Sequence, residues 1–396
     1  MLKYLYAKND AEIPSLNGLR ALSIFMVIIF HLGTGAGKVL VSDGEILTTI
    51  IVNLQSSVDL FFMLSGFLIY GGLLDEYGRS SKIDLKKFYL KRTFRIIPAY
   101  YICLIIHFIQ TKAVYKIGEK MTSPSPEILV VKEKLANSLA NSWTDFLYIS
   151  NFFHDRLFSF GWSLSIEEQF YLVVPPLCSI LLFKQKAEMR RIILVVLYFV
   201  PMVIRGFYYH FDFTADWTSF HTESRFDAII VGMLLTELVR WKPEFLKNTS
   251  LAKNLGFSIG AALSLCIALL MSRTNINSIF IHTYFQFSFA VLFIACLLEG
   301  NFWNFIFRSR FFTPIARTSY TMYLWHGMFL LAALRFIFKN NLPSGLEAGP
   351  YLLLGIYTVL FVFVVCVPIF YITERPFLAI RDYILKRMKK KELPAK

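Results

Sequence analysis

Charge is scarce in this chain. Only 17% of its 396 residues are Asp, Glu, Lys or Arg, against about a quarter in a soluble domain. No stretch outside the apolar runs is long enough for a separate soluble domain. Cysteine is also sparse: Cys103, Cys178, Cys266, Cys296 and Cys366 each lie in a hydrophobic segment. They show neither CxxC nor metal-ligand spacing, so no metal site is expected, and they read as small apolar side chains in helices. There is no visible internal repeat, nor the pair of interrupted helices that many secondary transporters carry. The polar or mixed N-terminal stretch lacks a signal-peptide cleavage pattern, so the first apolar run is expected to be a retained span. The apolar runs are continuous rather than alternating, which argues against a β-barrel.

What is abundant is apolar surface: 56% of residues are hydrophobic and mean hydropathy is +0.54. Stretches near 17–36, 52–74, 94–111, 161–183, 191–209, 225–240, 254–272, 277–299, 314–338 and 350–373 approach or reach the roughly 20 residues that a spanning helix needs. The expected fold is all-α, a polytopic transmembrane helical bundle of about ten spans. Residues 1–380 are expected to form one membrane-embedded domain and 381–396 a basic tail. The stretch TDFLYISNFF (144–153) is too short to cross and should lie at the surface or re-enter.

The net charge of +14 sits in alternate loops, which is a topology signal rather than a nucleic-acid footprint. Arg79, Lys82, Lys86, Lys87, Lys91, Arg92 and Arg95 lie within 75–95. Lys184, Lys186, Arg190 and Arg191 follow the fourth span, Arg240, Lys242, Lys247 and Lys253 the sixth, and Arg308, Arg310 and Arg317 the eighth. These loops and both termini are expected to be cytoplasmic. The opposite loops include GEILTT and YYHFDFTADWTSFHTES, neutral to acidic. The lysine-bearing loop 112–143 is an exception, and its length makes its charge weaker evidence.

Against this background, ionisable groups inside apolar runs are the informative residues, because lipid penalises them and they must face a polar interior. Arg20 and His31 stand eleven positions apart in LRALSIFMVIIFH. On a helix they share nearly one face and lie roughly 16 Å apart along the axis. Asp59 and Ser65 lie in SSVDLFFMLSGFLIY, where Asp59 needs a partner such as His31 or an arginine. Glu167 and Glu168 in WSLSIEEQFYL point about 100° apart, so at most one should face a given cavity directly. Glu167 is the candidate to orient His31 as a general base. Arg92 and Arg95, three apart on one helix face, suit a multiply charged phosphate ligand. Arg225, Asp227, Ser319, Tyr320, Tyr323, His326, Glu374 and Arg375 are further polar groups that either line a cavity or hold helices together. GTGAGKV (33–39) lacks the spacing and hydroxyl of a phosphate loop and is expected to be a turn.

The motifs NGLRALSIFMVIIFH, VDLFFMLSGFLI, FYLKRTFRIIPAY, WSLSIEEQFYL, RFDAIIVG, TSYTMYLWH and TERP, in that order, resemble the integral-membrane type three acyltransferases. The resemblance runs from the first span to the last. It implies an O-acyltransferase of the bacterial plasma (inner) membrane. Such an enzyme moves an acyl group, usually acetyl, from cytoplasmic acyl-CoA to a hydroxyl of a surface glycan or lipid-linked sugar. Acyl-CoA is then a co-substrate, and no permanently bound cofactor is implied. Arg20 and His31 match the paired motif of that family, and Arg92 and Arg95 its donor-associated arginines. The expected catalytic set is His31, Glu167 and Asp59. The expected donor set is Arg20, Arg92 and Arg95. Ser65, Glu168, Arg225, Tyr323 and His326 are expected to line the cavity, with Ser65, Tyr323 or the Gly66 amide as oxyanion donors. Some relatives append a hydrolase-like domain, and none is expected before Lys396. A transporter or flippase using the same buried charges is the alternative reading, and a non-catalytic membrane scaffold a third.

Overall fold

The computed structural model describes residues 2–7, 12–34, 44–122, 125–247, 250–274, 276–338 and 345–392. Most of the expected turn at 33–39 therefore lies outside the described residues. The long helices are α1 (Pro14–Thr34), α2 (Ser57–Ser80), α3 (Leu85–Glu119), α4 (Gly161–Ile180), α5 (Ala187–His210) and α6 (Asp227–Trp241). They continue with α7 (Leu251–Leu270), α8 (Asn277–Leu297), α9 (Phe312–Phe338), α10 (Ala348–Thr373) and α11 (Arg375–Glu392). There is no β-sheet among the described residues, and the all-α expectation holds.

Eight helical stretches among the described residues are long and apolar enough to cross a membrane. Whole ridges of aliphatic side chains on them face outward, such as Ile259, Leu263 and Ile267 on α7 and Leu352, Ile356 and Leu360 on α10. That pattern requires lipid as the solvent. The chain is thus a multi-pass membrane protein. Two expected spans look different. The stretch 225–240 becomes the 15-residue α6, which at about 1.5 Å per residue is shorter than a hydrocarbon core. The stretch 314–338 falls within α9. Prolines 98, 175, 176, 201 and 368 lie inside helices, as membrane helices tolerate.

Two segments expected as loops are helical. GEILTT belongs to the helix Gly44–Asn53, which runs through a 3-10 turn at Leu54–Ser56 into α2. Most of 112–143 is also helix, because α3 continues to Glu119 and Pro126–Ala140 forms a second helix that packs on α3. The Asp84 carboxylate starts α3 by accepting from the Lys87 amide at 2.9 Å, an ordinary N-cap.

The chain forms two compact units, each assembled from three stretches of sequence. The first contains Met1–Asp75, Gln185–Asp212 and Phe226–Pro368, and the second Glu76–Lys184, Phe213–Arg225 and Ile369–Lys396. In the first unit α1 packs on α9, α5 on α6 and α7 on α8. Its α2 and α6 cross at backbone contact. A Cβ placed on Gly66 would fall 2.1 Å from the Ile229 carbonyl oxygen, and one on Gly232 would fall 2.1 Å from that of Met63. Small residues permit such approach in membranes. Asn53 and Arg273 tie the entry to α2: Asn53 donates to the Leu269 and Met271 carbonyls, and Arg273 to Asn53 and the Ser56 hydroxyl. In the second unit α3 packs against α11.

Candidate active site

In the first unit, α1 and α9 bring two imidazoles together. The rings of His31 and His326 lie 5.0 Å apart, centroid to centroid. Nδ1 of His326 is 2.7 Å from the Tyr323 carbonyl oxygen. A carbonyl only accepts, so Nδ1 carries the hydrogen and Nε2 is the basic nitrogen of the neutral ring. The spacing of Tyr323 and His326 on one helical turn makes this bond local. Tyr323 is buried and meets Phe61 of α2 edge-on at 6.1 Å. Tyr351 of α10 donates to the Ile29 carbonyl of α1 at 2.7 Å, fixing α1 two residues from His31.

Asp59 is wholly buried, and its carboxylate lies 3.5 Å from Nδ1 of His282 on α8. His282 is a partner that the sequence reading did not name. A second buried pair also reaches α8. Arg205 of α5, 0% exposed, meets Asp227 of α6 at 2.7 Å and also donates to the Ile279 carbonyl and Thr283 hydroxyl of α8. At the start of α5, Arg190 and Tyr70 converge on Glu237, at 2.8 and 2.6 Å. Buried ion pairs of this kind lock helices together, because removing one member strands a charge. Arg205 and His282 were legible as ionisable residues inside apolar runs.

In the second unit, α3 and α4 form the other cluster. The Arg92 guanidinium lies 5.2 Å from the centre of the Tyr171 ring and 5.8 Å from that of Phe88. Tyr171 donates its hydroxyl to Glu167, one turn earlier on α4. Arg92 lies within electrostatic reach of Arg95, Glu167 and Glu168, so both glutamates bear on the same arginine. The Glu168 carboxylate also lies in the field of the Tyr101 and Tyr148 phenols.

The next residue, Gln169, works as a latch. Its amide nitrogen donates to the Tyr148 carbonyl at 2.8 Å and to the Asn151 side chain at 3.0 Å, and its oxygen accepts from Thr222 at 2.5 Å. Arg225 lies over the Trp162 ring at 5.5 Å. The stretch 144–153, expected to be short and non-crossing, is a pair of short helices, Ser142–Phe146 and Ser150–Phe152. Within it Asp145 is fully buried and accepts from the Leu157 and Phe158 amides at 3.0 and 3.4 Å. Burial outweighs those bonds and raises its carboxyl to about 6.

The predicted residues thus divide. Arg20, His31, Asp59, Ser65, Tyr323 and His326 belong to the first unit, and Arg92, Arg95, Glu167, Glu168 and Arg225 to the second. His31 meets His326, and Arg92 meets the Glu167–Tyr171 pair.

A multi-pass helical protein that keeps ionisable groups inside its spans is of the class in which such groups mark a substrate or proton path. Comparison with known proteins makes the class specific: residues 13–374 match the acyltransferase domain model, and the chain belongs to that family. Among its relatives is an O-acetyltransferase OatA of Staphylococcus aureus strain NCTC 8325. That protein is 28% identical over 350 residues, which are 84% of this chain and 53% of the relative. A putative O-acetyltransferase of Staphylococcus aureus strain COL is 30% identical over 335 residues, 81% of this chain and 51% of the relative. The chain therefore spans about half the length of these relatives. No solved structure matches it.

Proposed function

We propose that this chain is an O-acetyltransferase of the bacterial plasma membrane. Its donor is acetyl-CoA taken from the cytoplasm, and its acceptor is a hydroxyl of an extracytoplasmic sugar or glycan. The relatives' names support acetyl transfer to oxygen, and the alternation of basic loops supports both termini being cytoplasmic. The observation that carries the reading is the His31–His326 imidazole pair inside the helices of an acyltransferase-family chain.

A sugar hydroxyl is a poor nucleophile at neutral pH and needs a base as it attacks. In this reading His31 takes the hydroxyl proton while the oxygen attacks the thioester carbonyl. The C–O bond forms, the C–S bond breaks, and the proton passes to the departing thiolate of CoA. His326, with its Nδ1–H committed to Tyr323, packs its ring against that of His31. Asp59 and its partner His282 set the charge within the same unit. Arg92 and Arg95, with Arg20, recognise the anionic donor. Glu167 holds Tyr171 against Arg92 and shapes that recognition.

The test is His31→Ala in purified protein supplied with acetyl-CoA and an acceptor glycan. Acetyl transfer should fall by about 10²–10⁴-fold, the usual contribution of a positioned base, while the gel-filtration profile is unchanged. Transfer within threefold of wild type would overturn the reading. Incubation with radiolabelled acetyl-CoA and no acceptor separates direct attack from an acetyl-histidine intermediate.

A further inference from the structure

Inside the second unit, residues of 151–156 and 214–221 line a half-open pocket of about 420 Å³. That is the size range of sites for small molecules. Three aromatic rings wall it, Phe152, Phe153 and Trp217, and Asn151, Arg156 and His221 supply polar groups. Trp217 is 36% exposed and Phe152 43% exposed, and both line the pocket.

The walls are built rather than loose. Trp217 packs on His221 with ring centroids 4.2 Å apart, and Phe152 meets His221 edge-on at 5.1 Å. Glu223 holds Nδ1 of His221 at 3.1 Å. The Arg156 guanidinium lies over Phe220 at 4.6 Å. Asn151 donates to the Thr222 hydroxyl at 3.0 Å and accepts from Gln169.

We infer that this pocket binds a pyranose ring of the acetyl acceptor. The inference rests on the proposal above that the acceptor is a sugar. A pyranose has an apolar face of axial C–H bonds and a rim of hydroxyls. Flat aromatic rings receive the first, and guanidinium and imidazole groups hydrogen-bond the second. Trp217 lines a half-open pocket together with Asn151 and Arg156. Both segments also lie on the side that the charge pattern makes extracytoplasmic, where an exported glycan is found.

The experiment uses the purified full chain with acetyl-CoA and a panel of chitotetraose, cellotetraose and maltotetraose. CoA release and acetylated sugar are measured together. With the best acceptor, Trp217→Ala and Phe152→Ala should each raise the acceptor KM at least tenfold. The acetyl-CoA KM and kcat should stay within about twofold, the signature of lost ground-state binding. Trp217→Phe, which keeps a flat ring, should recover most of the loss. If Trp217→Ala does not fold, Phe152→Ala carries the test.

Acceptor KM within twofold of wild type in the folded variants would overturn the inference. So would reduced thermal stability as their only effect, or acetylation of none of the three sugars. His31→Ala is run alongside. Retained transfer in that variant overturns the proposed chemistry and leaves the pocket standing, whereas an inactive His31→Ala beside unaltered acceptor KM in the pocket variants overturns the pocket alone.

Discussion

At the scale of the residue, Asp145 shows how burial and hydrogen bonding compete. Two backbone amides favour its carboxylate, yet its pKa stands near 6 because no water reaches it. The folded chain therefore holds this proton more tightly than the unfolded chain, where a carboxyl titrates near 3.9. The stabilisation is fully present below pH 4 and is lost as pH rises through 6. Two units correspond to about 3 kcal/mol at most. The melting temperature of the wild type relative to Asp145→Asn should fall between pH 4 and pH 6 and level off above. A flat difference across that window would show that the carboxyl is already ionised in the folded state at pH 4. The same tension between burial and compensation governs Arg205, whose charge is tolerated only because Asp227 and two acceptors on α8 surround it.

At the scale of the element, the α2–α6 crossing is the tightest joint in the first unit. Gly66→Ala or Gly232→Ala forces two backbones apart, since either new methyl would overlap a carbonyl oxygen. Such overpacking costs about 1–3 kcal/mol or more. Gly72→Ala, six residues along the same helix, meets nothing within 4 Å and should be neutral. Thermal unfolding in detergent followed by size-exclusion chromatography measures both, and equal stability of Gly66→Ala and Gly72→Ala would disprove the crossing. The existence of the helices was legible, because continuous apolar runs leave few alternatives. Their ends were not. Lysines at 112, 116 and 120 read as loop, yet helix propensity carries α3 through to Glu119. Partners were legible only by type. Asp59 plainly needed a cation or a donor, but nothing in SSVDLFF selects His282 over His31, because that choice depends on how α8 packs against α2. The glycines in MLSGF and IIVG read as motif, and only the crossing explains why a side chain is excluded there.

At the scale of the whole molecule, the charge pattern and the proposed chemistry make one joint demand: donor and acceptor are supplied to opposite faces of a membrane. Inside-out vesicles carrying the protein should consume acetyl-CoA added to the bulk, whereas right-side-out vesicles should not until they are permeabilised. Equal consumption by both preparations would refute the assigned orientation. Net sugar transport without acetyl-CoA would instead favour a carrier.

Within the second unit, three successive residues of α4 face three tasks. Glu167 holds Tyr171 beside Arg92, Glu168 lies within electrostatic reach of the same arginine, and Gln169 grips Tyr148, Asn151 and Thr222. A lever arm one helical turn long thus joins the pocket wall to the arginine. Asn151 lines the pocket and is held by Gln169, two residues along α4 from Glu167. One turn of α4 thus carries both the contacts to the pocket wall and the contacts to the arginine.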